Sequence, residues 1–167
     1  MALVEAMFDP IAPVRQSLNI AKVRSQLDIA KANWAAVGVD DYSFDIHGRS
    51  QSICEVDAHI QVEDNVVMEV RDLSSASLLP PKQWADPDWG NEVFLCDYNH
   101  FTVPQMFDML GKTLKNSPFA VLEAEFNPQY GFMTRFEDGI FASHGWLNLR
   151  DQNVYNKFQI SNFKIEQ

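Results

Sequence analysis

Around Gly38 the spacing of hydrophobic residues changes from a period near 3.6 to a period of 2, and nothing else in the chain limits its fold as much. Before that glycine, Ile20, Val23, Leu27, Ala30, Trp34 and Val37 recur at steps of three and four, which predicts one amphipathic helix over residues 17–37. Arg24, Asp28 and Lys31 fall on its other faces, and Gly38 supplies the left-handed residue that commonly ends a helix. The stripe is too short for a coiled-coil seam, so its partner is expected to be a sheet. After the glycine, Tyr42, Phe44 and Ile46 alternate with Ser43, Asp45 and His47, the pattern of a half-buried strand. A helix with one apolar stripe beside strands with one apolar face predicts an α+β fold on an antiparallel sheet.

The alternation continues. A second strand places Val56, Ala58, Ile60 and Val62 on one face and Asp57, His59 and Gln61 on the other, and a third alternates Val66, Met68 and Val70 with Val67, Glu69 and Arg71. Two registers join them. A two-residue turn at Asp64 and Asn65 sets Ile60 opposite Glu69 and Ala58 opposite Arg71. A three-residue loop, Glu63 to Asn65, instead pairs Val62 with Val66, Ile60 with Met68 and Ala58 with Val70, with Asn65 as the left-handed residue of a bulge. The second register is the expected one.

Residues 73–101 contain Pro80, Pro81 and Pro87 with Trp84, Trp89, Phe94 and Tyr98, and read as a long ordered loop. A second helix is announced by Thr102 as its cap, Gln105 as the capping-box partner, and Phe101 with Met106 as a hydrophobic staple. Its inward face is Val103, Met106, Phe107, Leu110 and Leu114, and Gly111 suggests close packing against the sheet at that point. Strands follow over residues 119–126, 132–137, 145–149 and 154–165. Phe158 and Ile160 are out of phase with Phe163 and Ile165, which predicts a bulge or bend near Ser161 and Asn162. The whole reads as an antiparallel meander of about six to seven strands with two helices packed on one face. Residues 1–16 form an arm, and 17–167 form one α+β domain.

Composition narrows the partners. Thirteen basic residues against twenty-three acidic ones give a formal charge of −10, which repels phosphate backbones and anionic lipid surfaces. Nucleic acid is therefore not an expected partner. No apolar run reaches the roughly 20 residues needed to cross a bilayer. Residues 1–14 lack the basic region and apolar core of a signal peptide, and Pro10 and Pro13 interrupt them. As written, the chain reads as soluble and cytoplasmic.

Phosphate loops, dinucleotide glycine patterns, nucleophile elbows and paired-histidine zinc helices are missing from the sequence, so no catalytic residue and no cofactor is assigned. Asp45, His47, Asp57 and His59 lie on the polar faces of two strands expected to pair, and that residue set suits a divalent transition metal. The plain reading is that solvent-facing positions carry polar residues. Trp84, Trp89 and Tyr98 form a candidate partner-binding group, against the ordinary alternative that such rings hold the loop on the body. Cys54 and Cys96 allow one disulfide or two free thiols.

Several strings resemble the family catalogued as domain of unknown function 6174, a widespread bacterial family. They are a helix ending in Trp34, the strand start Asp41-Tyr42-Ser43-Phe44, and the hairpin Val62-Glu63-Asp64-Asn65-Val66. With them go Thr102-Val103-Pro104-Gln105-Met106-Phe107 and Phe126-Asn127-Pro128-Gln129-Tyr130-Gly131-Phe132. The resemblance spans about Trp34 to Ile165 in order. Ser52 stands where the family often has the first of two cysteines around one residue, Asn65 replaces a hairpin glycine, and Met133 replaces a proline. The resemblance implies an extracytoplasmic setting, because many members carry export or lipoprotein signals, and it implies no activity.

The expected function is a non-enzymatic binding or assembly domain that contacts a protein partner or a small ligand. The alternative is a metal-binding protein or metal-dependent enzyme built on Asp45, His47, Asp57 and His59.

Overall fold

A computed structural model describes residues 12–50, 54–79, 83–85, 93–95, 98–116, 120–141 and 152–166. Helix α1 runs over Ala12–Val37, beginning ahead of residue 17 because Pro13 sits in the first turn, where a missing N–H breaks no helical bond. Val23, Leu27, Ala30 and Trp34 are its buried stripe, as their spacing requires. Gly38 has φ of 65° and donates its N–H to the Trp34 carbonyl at 3.2 Å, closing the helix as expected.

Strands β1 (Tyr42–Ser50), β2 (Cys54–Glu63) and β3 (Val66–Asp72) follow, and a small ribbon of β4 (Gln83–Ala85) and β5 (Val93–Leu95) lies within the long loop. A 3-10 turn at Tyr98–Phe101 leads into α2 (Val103–Asn116), then β6 (Ala120–Phe126), β7 (Met133–Phe141) and β8 (Gln152–Ile165). The main sheet is antiparallel with order β3-β2-β1-β8-β7-β6. Two three-stranded meanders are thus joined where β1 pairs with β8. The expected strand at residues 145–149 lies outside the described residues.

One face of this sheet is the core. Tyr42, Phe44 and Ile46 of β1, Ala58 and Ile60 of β2 and Phe136 of β7 are fully buried and cluster with both helices. Burying each of the larger of these side chains contributes about 1.5–3 kcal/mol. From α2, Val103, Met106, Phe107, Leu110 and Leu114 all point into the same cluster. The close packing expected at Gly111 is not seen: among the described residues nothing lies within 4 Å of a Cβ placed there. Position 111 lies past the edge of the α2 face that reaches the core.

The α2 start is fixed from two sides. Thr102 caps it, its hydroxyl accepting the Gln105 N–H at 3.4 Å, as the sequence predicts. The Tyr42 hydroxyl accepts the Val103 N–H at 2.9 Å, a long-range cap that local sequence does not announce. Burial pushes the Tyr42 phenol up to about 12, with the hydrogen bond from Val103 acting against the rise.

The β2–β3 register differs from the expected one. Asp64 and Asn65 both have positive φ, 51° and 57°, and form a two-residue turn that pairs Glu63 with Val66 and Val62 with Val67. A register shift follows directly, so that Ile60 pairs with Val70 and Gln61 with Glu69. The mismatch that argued against the short turn is removed by a bulge inside β3, which leaves Met68 60% exposed. The turn is also tied to the start of β1: Asp41 accepts the Asp64 N–H at 2.8 Å, and the Asp40 carbonyl accepts that of Asn65 at 2.9 Å. At the other end of β3, Asp72 accepts the backbone N–H groups of Ser74 and Ser75 at 2.9 and 2.8 Å.

The bulge in β8 is present where the phase change places it. Asn162 has φ of 51°, and the β1–β8 register shifts between Ser43 and Asp45. The extra residue returns Phe163 to the core side, where it stacks on Phe132 with centroids 4.0 Å apart and meets Trp34 edge-on at 6.0 Å. The turn before β7 docks on α1: Asn127 Oδ1 accepts the N–H groups of Gln129 and Tyr130, and a Cβ on Gly131 would lie 2.3 Å from the Ala30 carbonyl oxygen. Gly131 also has φ of 87°, so no other residue suits this approach.

Candidate functional site

With both helices contributing to one core cluster, the opposite face of the main sheet carries the polar side chains of each strand. Strand pairing converts the alternating positions of β7, β8, β1 and β2 into a row: Arg135 opposite Gln159, Gln159 opposite His47, His47 opposite Asp57. A neighbouring row holds Ser161, Asp45, His59 and Arg71.

Asp45, His47, Asp57 and His59 are brought together as the sequence leads one to expect, and they form two cross-strand pairs. His59 Nδ1 bonds Asp45 Oδ1 at 2.7 Å, and His47 Nδ1 bonds Asp57 Oδ1. The other oxygen of Asp45 accepts from Asn162 Nδ2 at 2.6 Å, so the β8 bulge supplies a third member to that pair. Partial burial raises the Asp45 carboxyl, but hydrogen bonds from Asn162 and His59, with the charges of both histidines, outweigh it and hold the group below its ordinary value. Among the described residues no group of three or more His, Cys, Asp or Glu side chains could hold a metal ion.

Beside the His47–Asp57 pair lies an open groove of about 480 Å³ crossing β2, β1, β8 and β7. Lys157 forms one wall, and the row Arg135, Gln159, His47 and Asp57 forms the other. Gly48, Val56 and Phe158 lie between the two walls; Val56 and Phe158 send their side chains into the core, so their backbone is the floor. Gly48 permits that floor, since a Cβ on it would lie 2.2 Å from the Lys157 carbonyl oxygen. At the β7 end Glu137 contacts Lys157 at 3.1 Å and Arg135 at 3.5 Å. The Lys157 hydrogen bond leads the causes that hold the Glu137 carboxyl below its ordinary value.

The groove residues Arg135, Lys157 and Gln159 were not singled out by sequence reasoning. Each occupies an outward alternate position, but only the pairing of β8 with β1 sets them beside His47, and that pairing is not local. Asn162 had a signal, the phase change in β8, although its bond to Asp45 had none.

The aromatic candidates separate. Trp84 lies in β4 opposite Phe94 of β5, with its side chain outside the described residues, and Trp89 is outside them altogether. Tyr98 is 8% exposed and packs on Phe101 within the core cluster, the arrangement of a ring that holds the loop on the body. Burial raises its phenol. Cys54 opens β2 opposite Ser50, with its side chain outside the described residues, and Cys96 lies outside them.

The model of a family of unknown function, DUF6174, matches residues 26–137. No curated protein and no solved structure matches the chain. None of the helices in the described residues is long and apolar enough to cross a membrane.

Proposed function

Since the chain belongs to the DUF6174 family of unknown function, we propose on physical grounds that it is a non-enzymatic binding domain whose recognition surface is the open face of the main sheet. The groove between Lys157 and the Arg135–Asp57 row carries this reading. Its volume falls in the range of small-ligand sites, and its convergent polar groups stand on paired strands rather than on loops. The His–Asp pairs orient imidazoles, but among the described residues no hydroxyl or thiol nucleophile bonds either one, so their geometry favours recognition over acyl or phosphoryl transfer.

The test is an amide NMR screen of the intact protein against a library of small polar metabolites and short peptides. Shifts confined to His47, Asp57, Lys157 and Gln159 are expected for the ligands that bind. A library that shifts only residues elsewhere, or none, sinks the proposal.

A second surface is favoured by one observation: β4 and β5 form a ribbon separate from the main sheet, with Trp84 on it. Trp84→Ala or Trp89→Ala weakens capture of a protein partner on that reading, with the melting temperature nearly unchanged. The metal reading of Asp45, His47, Asp57 and His59 is the weakest, because each carboxylate already serves an imidazole. Stabilisation of the protein by zinc, nickel or copper would restore it.

A further inference from the structure

We infer that Met68 is a site of reversible oxidation, taken by hydrogen peroxide to the sulfoxide while the protein stays folded. The register of β3 is the first argument. Sequence period puts Met68 in line with the buried Val70, yet Val62 pairs with Val67 and Gln61 with Glu69, so Met68 has no residue opposite it on β2. Strand β3 is the first of the main sheet, and the segment that turns back beside it meets it further along, with Leu78 opposite Arg71. Among the described residues no strand therefore flanks Met68 on its outer side, and it is 60% exposed.

The other methionines of the described residues are the second argument. Met106 and Met133 are fully buried in the core, and Met109 is half-buried against it. Peroxide attacks the sulfur it can reach, so the buried thioethers wait for the fold to open and Met68 does not.

The chemistry needs only the peroxide. A sulfur lone pair attacks one peroxide oxygen and the O–O bond breaks; the hydroxide released takes the proton left on the transferred oxygen and leaves as water. Sulfur gives up two electrons and the peroxide gains them. Return requires a dithiol reductase, which carries the oxygen off as water while its two thiols close to a disulfide. Val66 and Leu78 are exposed along the same edge of the sheet. Of these three apolar side chains only the thioether can be made polar and then restored, so oxidation sets the polarity of the edge without touching the core.

Hydrogen peroxide on the intact protein, with peptide mass spectrometry locating each added oxygen by fragmentation, tests this. Met68 is expected to gain one oxygen on the order of a hundredfold faster than Met106 and Met133, and unfolding in urea is expected to remove the difference. The singly oxidised protein should melt within about 2 °C of the untreated one, as for a surface change. A pair of methionine sulfoxide reductases, one for each epimer, with dithiothreitol as reductant, should restore its original mass. Met106, Met109 or Met133 gaining oxygen as fast as Met68 in the folded protein overturns the inference. So does a sulfoxide at Met68 that lowers the melting temperature further than this, or one that both reductases leave in place.

Discussion

Strand β1 presents two faces that differ in almost every respect. Tyr42, Phe44 and Ile46 are fully buried in a core cluster with rings and aliphatic chains from both helices and the other five strands of the main sheet. Asp45 and His47, one residue out of phase, are hydrogen-bonded to carboxylates or imidazoles at a partly or fully solvated surface. The same backbone therefore carries the residues that make the fold and those that make the groove. Burial gives the first group large energies and no freedom, and solvent gives the second group small energies and chemical choice.

That contrast can be broken most sharply at Phe44. Phe44→Ala should destabilise the protein by about 3–5 kcal/mol in urea unfolding, since the site is closed on all sides and a cavity must remain. A loss below 1 kcal/mol, on the order of a surface change, would mean the inner face is not the core. Tyr42→Phe is the next largest. It keeps the ring and removes the acceptor of the buried Val103 N–H, so a cost of about 1–3 kcal/mol is expected, with hydrogen exchange at Val103 accelerated.

Gly111→Ala has the opposite sign. Among the described residues nothing lies within 4 Å of the added methyl, and helix propensity alone predicts a gain of up to about 1 kcal/mol in unfolding free energy. Destabilisation would show that α2 packs more closely than its backbone allows. The smallest effect belongs to the outer face. Asp45 has a folded pKa below its ordinary 3.8, so its contribution is present in full above that value and fades as pH falls through the folded pKa. Asp45→Asn should be less stable than wild type at neutral pH, and the difference should shrink in acid below about pH 4. A gap that stays constant from neutral pH to acid would remove the carboxylate from that account.

Sequence revealed the faces better than the pairings. The α1 stripe, the alternation in β1 and β2, the Thr102 cap and the bulge at Asn162 all follow from spacing within one element, where period is set by local geometry. The β2–β3 register did not follow, because Asp40 and Asp41 hold the short turn and a bulge near Met68 restores the phase. For Tyr98 the sequence left two readings, a partner-binding ring or one that holds the loop on the body, because its burial is decided by Phe101 and the core around α2 and not by its proline-rich surroundings. Of the candidate site, the two His–Asp pairs were legible, since β1 and β2 are neighbours in sequence. Lys157, Gln159 and Arg135 were not, because they reach His47 only through β8.

The joining of β1 to β8 has a kinetic consequence. The Ser43 hydroxyl reaches Glu166 across 123 residues of chain, at 2.8 Å, and Tyr42 pairs with Ile165. Until that distant contact forms, β1 and β8 each keep one unpaired edge, and closing so long a loop comes before most of the reward. Folding should therefore be slow, on the millisecond-to-second scale of proteins dominated by non-local pairing, and limited by one search rather than by many local steps. During that search the unpaired flanks of β1 and β8 are open to other chains, so refolding yield should fall as protein concentration rises.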